Sequence, residues 1–211
     1  VDITLGRAYV DAIYEINQDW RAEAALFARY AAADGLENTT WEPRVGLAWT
    51  PLDGHLLRAG YMREGATFNI VSLSPIGIVG LQPNQVSLSP GGTRETYAAR
   101  WDAEWTPHIF PSVDYQHQEI DGFSITPPSS TPRASLDIAS GTIDRVSATA
   151  NLWLTHGFGA FATYAYTRSE DTSDDQGDQL PFVPEHVARL GLTYVNTFDV
   201  QATVAATYVG R

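Results

Sequence analysis

The chain has no cysteine and no lysine. Without cysteine, disulfide frameworks and thiolate chemistry are excluded. Every basic side chain that holds a permanent charge is therefore an arginine, 13 of them against 25 carboxylates. The formal charge of −12 argues against nucleic acid as a partner. No apolar run approaches the roughly 18–20 residues of a membrane-spanning helix. Metal-ligand spacing is missing as well, with no His-x-His pair and no Asp-x-Asp-x-Asp loop. No metal or other cofactor is expected. The acidic stretch Ser169–Gln179, with Glu170, Asp171, Asp174, Asp175 and Asp178, reads as a solvated charge run.

What is there is a two-residue period. Tyr97-Ala-Ala-Arg-Trp-Asp-Ala-Glu-Trp105 places Tyr97, Ala99, Trp101, Ala103 and Trp105 on one parity, and Arg100, Asp102 and Glu104 on the other. Successive strand side chains point to opposite faces, so one face is apolar and aromatic and the other is charged. The pattern recurs along the whole chain. Ten strands are predicted, at about 3–16, 20–32, 43–50, 55–63, 97–105, 112–120, 142–154, 158–168, 186–194 and 200–209. The alanine-rich second stretch has helix propensity, but its two-residue alternation favours a strand.

Turn signals such as Asn17-Gln18-Asp19 and Pro51-Leu52-Asp53-Gly54 separate some strands closely. Longer segments separate others, at 35–40, 64–92, 121–140 and 169–185. Short and long connections thus alternate, as in a transmembrane β-barrel with short periplasmic turns and long extracellular loops. The fold class expected is all-β, an antiparallel transmembrane barrel, with 1–211 one barrel segment. A mean hydropathy of −0.19 suits a chain in which only alternate residues meet lipid. Trp20, Trp49 and Trp105 sit beside short turns on the apolar parity, where an interfacial aromatic girdle is expected. On this topology the first strand starts, and the tenth ends, outside the cell. The stretch therefore reads as part of a larger barrel, and as a mature or trimmed form with no leader at Val1.

Leu180-Pro-Phe-Val-Pro-Glu-His186, Ala188-Arg-Leu-Gly-Leu-Thr-Tyr194 and Tyr208-Val-Gly-Arg211 resemble the end of TonB-dependent receptor barrels. Ser72-Leu-Ser-Pro-Ile-Gly77 and the run from Gly91 to Trp105 resemble barrels of the same broad kind, some of which are fused to tetratricopeptide repeats. The resemblance implies outer-membrane lipid as surroundings, a small solute or polymer as cargo, and a periplasmic energy-coupling or repeat-domain partner. It covers neither a plug domain nor an energy-coupling box.

The charged parity collects Arg7, Asp11, Glu15, Arg21, Glu23, Arg29, Arg44, Arg58, Arg100, Asp102, Glu104, Arg145 and Arg189. These are the expected lumen-lining residues, either structural ion pairs or a selectivity lining for an anionic or zwitterionic solute. Phe68, Ile76, Ile78 and Phe123 are the expected loop contacts to ligand. Histidines lie mostly at turns, and Ser112 and His117 take opposite faces, so no catalytic triad is expected and the chain is not read as an enzyme. The function expected is solute transport or receptor-mediated uptake across the outer membrane. The alternatives are a polymer-secretion channel attached to a repeat domain, or a soluble all-β binding or adhesion module.

Overall fold

The computed structural model describes residues 3–33, 36–66, 77–125, 136–173, 177–196 and 200–210. Ten strands form there: β1 (Ile3–Glu15), β2 (Trp20–Ala33), β3 (Leu36–Leu52), β4 (His55–Gly65), β5 (Leu88–Ala103), β6 (Ile109–Ile125), β7 (Leu136–Trp153), β8 (Phe158–Asp171), β9 (His186–Val195) and β10 (Gln201–Gly210). They make one antiparallel sheet in simple sequence order, each strand pairing only with its neighbours in the chain. β1 and β10 are its two edges.

Most strands run longer than the periodicity predicts. The expected loop at 35–40 is largely strand: Ala33 pairs with Leu36, and the ladder continues through Arg29–Thr40. The β2–β3 connection is thus short, which breaks the expected alternation of connection lengths once. β5 starts at Leu88 rather than near Tyr97, and β6 and β7 extend to Ile125 and Leu136. Mixed polar composition hides these ends, but a strand continues wherever a neighbour can take its N–H and C=O groups. Of the expected loop residues, Phe68 and Ile76 lie outside the described residues, as do Asp174 and Asp175 in the acidic run.

The tight turns have local causes. Asn17 Oδ1 accepts the N–H groups of Asp19 and Trp20, at 2.9 and 3.0 Å. His156 and Gly157 both take positive φ, 60° and 81°, the geometry that matches a two-residue hairpin to strand twist.

The two faces differ as the parity predicts. Val10, Leu190, Val204 and Tyr208 on the apolar face are all exposed, Val204 at 77%. The buried side chains lie on the charged face, in two clusters. One joins Phe27, Ala48, Met62 and Ala98 to Ile78, Val79 and Leu81. The other joins Ile120, Phe123, Ile138 and Ile143 to Leu180, with Val86, Leu88 and Val183 against it. The sheet therefore covers part of its charged face with its own connecting segments and leaves its apolar face bare.

Candidate functional site

The segment after β4 turns back onto the charged face. Ile78 and Leu81 exchange backbone bonds of 3.1 and 2.7 Å around Val79 and Gly80, whose φ values are 44° and 77°. This two-residue turn sits on a seat of two glycines. Gly46 and Gly60 are register partners across β3 and β4. A Cβ on Gly46 would lie 2.7 Å from Val79 Cγ2, and one on Gly60 would lie 2.7 Å from Ile78 Cγ2. Glu23 Oε2 accepts the Val79 N–H at 3.0 Å, and Arg58 donates to the Val79 carbonyl. The tip reaches the short-turn end of the sheet, beside Trp20, Thr50 and Leu56, where it lines a cavity of about 540 Å³.

Five residues on, Asn84 is held from three strands. Its N–H donates to Gln116 Oε1 at 2.9 Å, and its carbonyl accepts from Arg94 and Gln118 at 2.6 and 3.0 Å. Its side-chain oxygen accepts from Arg145 at 2.7 Å. Polar side chains at fixed heights on β5, β6 and β7 thus hold the segment in one place.

Above this clamp lies a buried ion-pair network. Glu42, fully buried, takes Arg29 and Arg7 as partners and also accepts the Gly65 N–H at 3.1 Å. Glu64 takes Arg44 at 3.2 Å and Arg94. Both Arg44 and Arg7 also lie over the Phe27 ring, 4.3 and 4.8 Å from its centre. Lower down, Asp102 bridges Arg58 and Arg100.

The expected charged residues do share one face. Arg7, Arg29 and Arg44 meet in the upper network, and Arg58, Arg100 and Asp102 in the lower. Glu15 and Glu23 flank Arg21, at 3.7 and 3.9 Å. Arg145 holds Asn84, Arg189 lies over Phe161, and Asp11 pairs in register with Ala25. Glu104 falls beyond the end of β5 and is exposed. Ile78 and Phe123 are both wholly buried, Phe123 within β6 rather than in a loop, so neither is offered to a ligand in this arrangement. Sequence reasoning missed Glu42, Glu64, Arg94, Asp114, Gln116 and Gln118. Glu42 continues the alternation of Arg44 through Pro43, where the strand was expected to start. Glu64 lies at the start of the loop expected over 64–92, and Arg94 between that loop and the strand expected from Tyr97.

At the short-turn end several aromatic side chains lie close together. Trp20 and Trp49 are register partners and stack at 5.0 Å. Trp101 lies 6.1 Å from Trp105 and donates its indole N–H to His55 at 3.2 Å. Toward the other end Tyr61 packs on Tyr97, and Tyr164 on His186.

An up-and-down sheet with a bare apolar face, a charged face and aromatic rims is the wall of an outer-membrane β-barrel. More narrowly, the chain belongs to the TonB dependent receptor-like β-barrel family, whose description matches residues 3–211. Solved structures share the fold. The copper transporter OprC superposes with a TM-score of 0.71 at 14% identity, covering 98% of this chain and 36% of its own. The ferric yersiniabactin uptake receptor FyuA from Yersinia pestis gives 0.68 at 13% identity, covering 99% and 34%. The alcaligin receptor FauA from Bordetella pertussis gives 0.61 at 15%, covering 99% and 38%. The chain thus spans little more than a third of these structures. No curated protein matches it in sequence.

Proposed function

We propose that the chain is wall and inner gate of an outer-membrane receptor that takes up a solute into the periplasm. The observation that carries this is the segment 77–87. It folds back onto the charged face and is pinned there by side chains of five strands, Glu23, Arg58, Arg94, Gln116, Gln118 and Arg145. A face that lined no passage would have no need of a fixed inward constriction. In this reading the apolar face meets lipid. The charged parity lines the lumen, and its mixed signs set the field a solute meets. Trp20, Trp49 and Trp105 lie at the periplasmic boundary, where an indole prefers the interface, and Trp101 and His55 join them. The ends of β4, β6 and β8 at Gly65, Ile125 and Asp171 face outward from the cell. The partner is a periplasmic energy-coupling protein, as the family's dependence on TonB implies.

Proteins of similar fold include a siderophore receptor, a ferric yersiniabactin uptake receptor and a copper transporter, so ferric chelates and copper are the first solutes to test. Cells with and without the receptor would be given labelled iron chelates or copper, with and without an uncoupler. Receptor-dependent accumulation that the uncoupler abolishes supports the reading. Accumulation that is receptor-dependent but indifferent to the uncoupler replaces energised uptake with passive passage.

A further inference from the structure

Below the Asn84 clamp a cleft of about 310 Å³ opens between residues 80–84 and the charged face of β5, β6 and β7. Its wall carries Arg100, Ser112, Asp114, Arg145, Ser147 and Thr149. Arg100 and Asp114 are register partners across β5 and β6, and Arg145 stands opposite Gln116 on the next strand. The sheet thus presents a guanidinium, a carboxylate and a guanidinium on three neighbouring strands.

The existing bonds do not exhaust these groups. Arg100 is turned toward Asp102, with Nε to Oδ1 at 2.9 Å and Nη2 to Oδ1 at 2.8 Å. Asp114 accepts from Gln116 Nε2 at 3.3 Å. Arg145 gives Nη1 to Asn84, while its Nε–H is buried with no hydrogen-bond partner among the described residues. The same holds for Arg58 and Arg94, so what singles out Arg145 is its place in the cleft wall, where a guanidinium keeps more donors than Asn84 uses and a carboxylate fits its fork best. Asp114 is the matching anion on the adjacent strand, opposite Ser147 in register, and Ser112 adds a hydroxyl two residues along β6.

We infer that this cleft is a binding subsite for a small zwitterion, a molecule such as an amino acid or dipeptide that carries both an ammonium and a carboxylate. The carboxylate meets Arg145, with Arg100 behind it, and the ammonium meets Asp114. An anion alone meets the repulsion of Asp114, and a cation alone that of the two guanidiniums. The cleft shares Arg100 and Ser112 with a second cavity of about 420 Å³ that reaches Glu104 and Asn151 at the short-turn end. The two cavities thus neighbour each other along the face. The inference rests on that face lining the passage, and it adds the chemical class of what pauses there.

The test is calorimetric titration of the receptor, purified from outer membranes in detergent, with three probes of similar size. Glycylglycine is a zwitterion near neutral pH, N-acetylglycine an anion and glycinamide a cation. Glycylglycine is expected to bind at least tenfold more tightly than either singly charged probe. Asp114→Asn should erase the preference over N-acetylglycine. Ser147→Ala, a milder change, should weaken glycylglycine several-fold while the unheated protein keeps its folded mobility on a denaturing gel. Equal affinity for all three probes, or no binding to the folded protein, overturns the subsite. So does a preference that survives Asp114→Asn. Energised uptake that persists without glycylglycine binding overturns the subsite alone. Loss of receptor-dependent accumulation in cells overturns the uptake reading instead.

Discussion

Glu42 shows how much one side chain carries. It is fully buried, and two arginines and a backbone N–H converge on it. Removing one member of a buried ion cluster leaves the others uncompensated, at a cost of about 3–5 kcal/mol. Glu42→Gln should therefore lower the urea midpoint of the micelle-bound protein clearly. Replacing Glu42 by Leu together with Arg29 by Met should recover part of the loss, since neutral packing of similar volume is tolerated. A midpoint unmoved by Glu42→Gln would mean that Arg7 and Arg29 find other partners. Gly60 is critical for the opposite reason, having nothing beyond its Cα. Gly60→Ala drives a methyl to 2.7 Å from Ile78 Cγ2 and 3.1 Å from the Val45 carbonyl. Overpacking of this kind costs about 1–3 kcal/mol. The cheapest relief is to lift the turn at 78–81 off its seat. Limited proteolysis should then cut within 77–87 faster than in the parent, and Ile78→Ala in the same chain should restore protection.

At the scale of the strand, alternation is the testable property. On β9 and β10, Thr193 pairs with Thr203 and Leu192 with Val204, on opposite faces. The chain lacks cysteine, so single cysteines report cleanly. A water-soluble maleimide should label positions 193 and 203 in membranes, and a lipid-phase reagent positions 192 and 204. Equal water labelling of both parities would sink the membrane-facing assignment of the apolar face. β3 teaches a different lesson. Its lower half, Val45–Trp49, was legible because large apolar and small or charged residues alternate strictly. Its upper half, Leu36–Glu42, was not, because Thr39 and Thr40 blur the period and Pro43 suggests a boundary. Pro43 is tolerated within the strand although it gives no N–H to a neighbour.

For the whole molecule, the decisive feature is that one continuous sheet keeps its lipid-type face empty and folds its own segment onto the other. Deleting residues 78–83 should remove the turn that narrows the charged side without touching any strand. In planar bilayers the shortened protein is expected to show larger or more frequent single-channel openings than the parent. Equal conductance would mean that 77–87 is wall lining rather than constriction. The unpaired edges at β1 and β10 set a further condition, because a strand edge in hydrocarbon leaves backbone groups unsatisfied at several kcal/mol each.

Periodicity alone determined that this is an all-β chain with one apolar and one charged face, and which residues lie on each wherever the alternation is strict. That information is local, since neighbours along a strand point opposite ways whatever lies around them. Composition likewise sufficed to set aside disulfide and thiolate chemistry. The partners of the charges were decided only in three dimensions. Glu42 lies in β3 and Arg7 in β1, two strands away in the sheet, and Asn84 meets Arg145 across 61 positions of sequence. No alternation rule says that a connection will turn inward, or that two glycines on adjacent strands will line up to seat it. Those outcomes depend on strand register and on the space left over the sheet, which exist only once the sheet has formed.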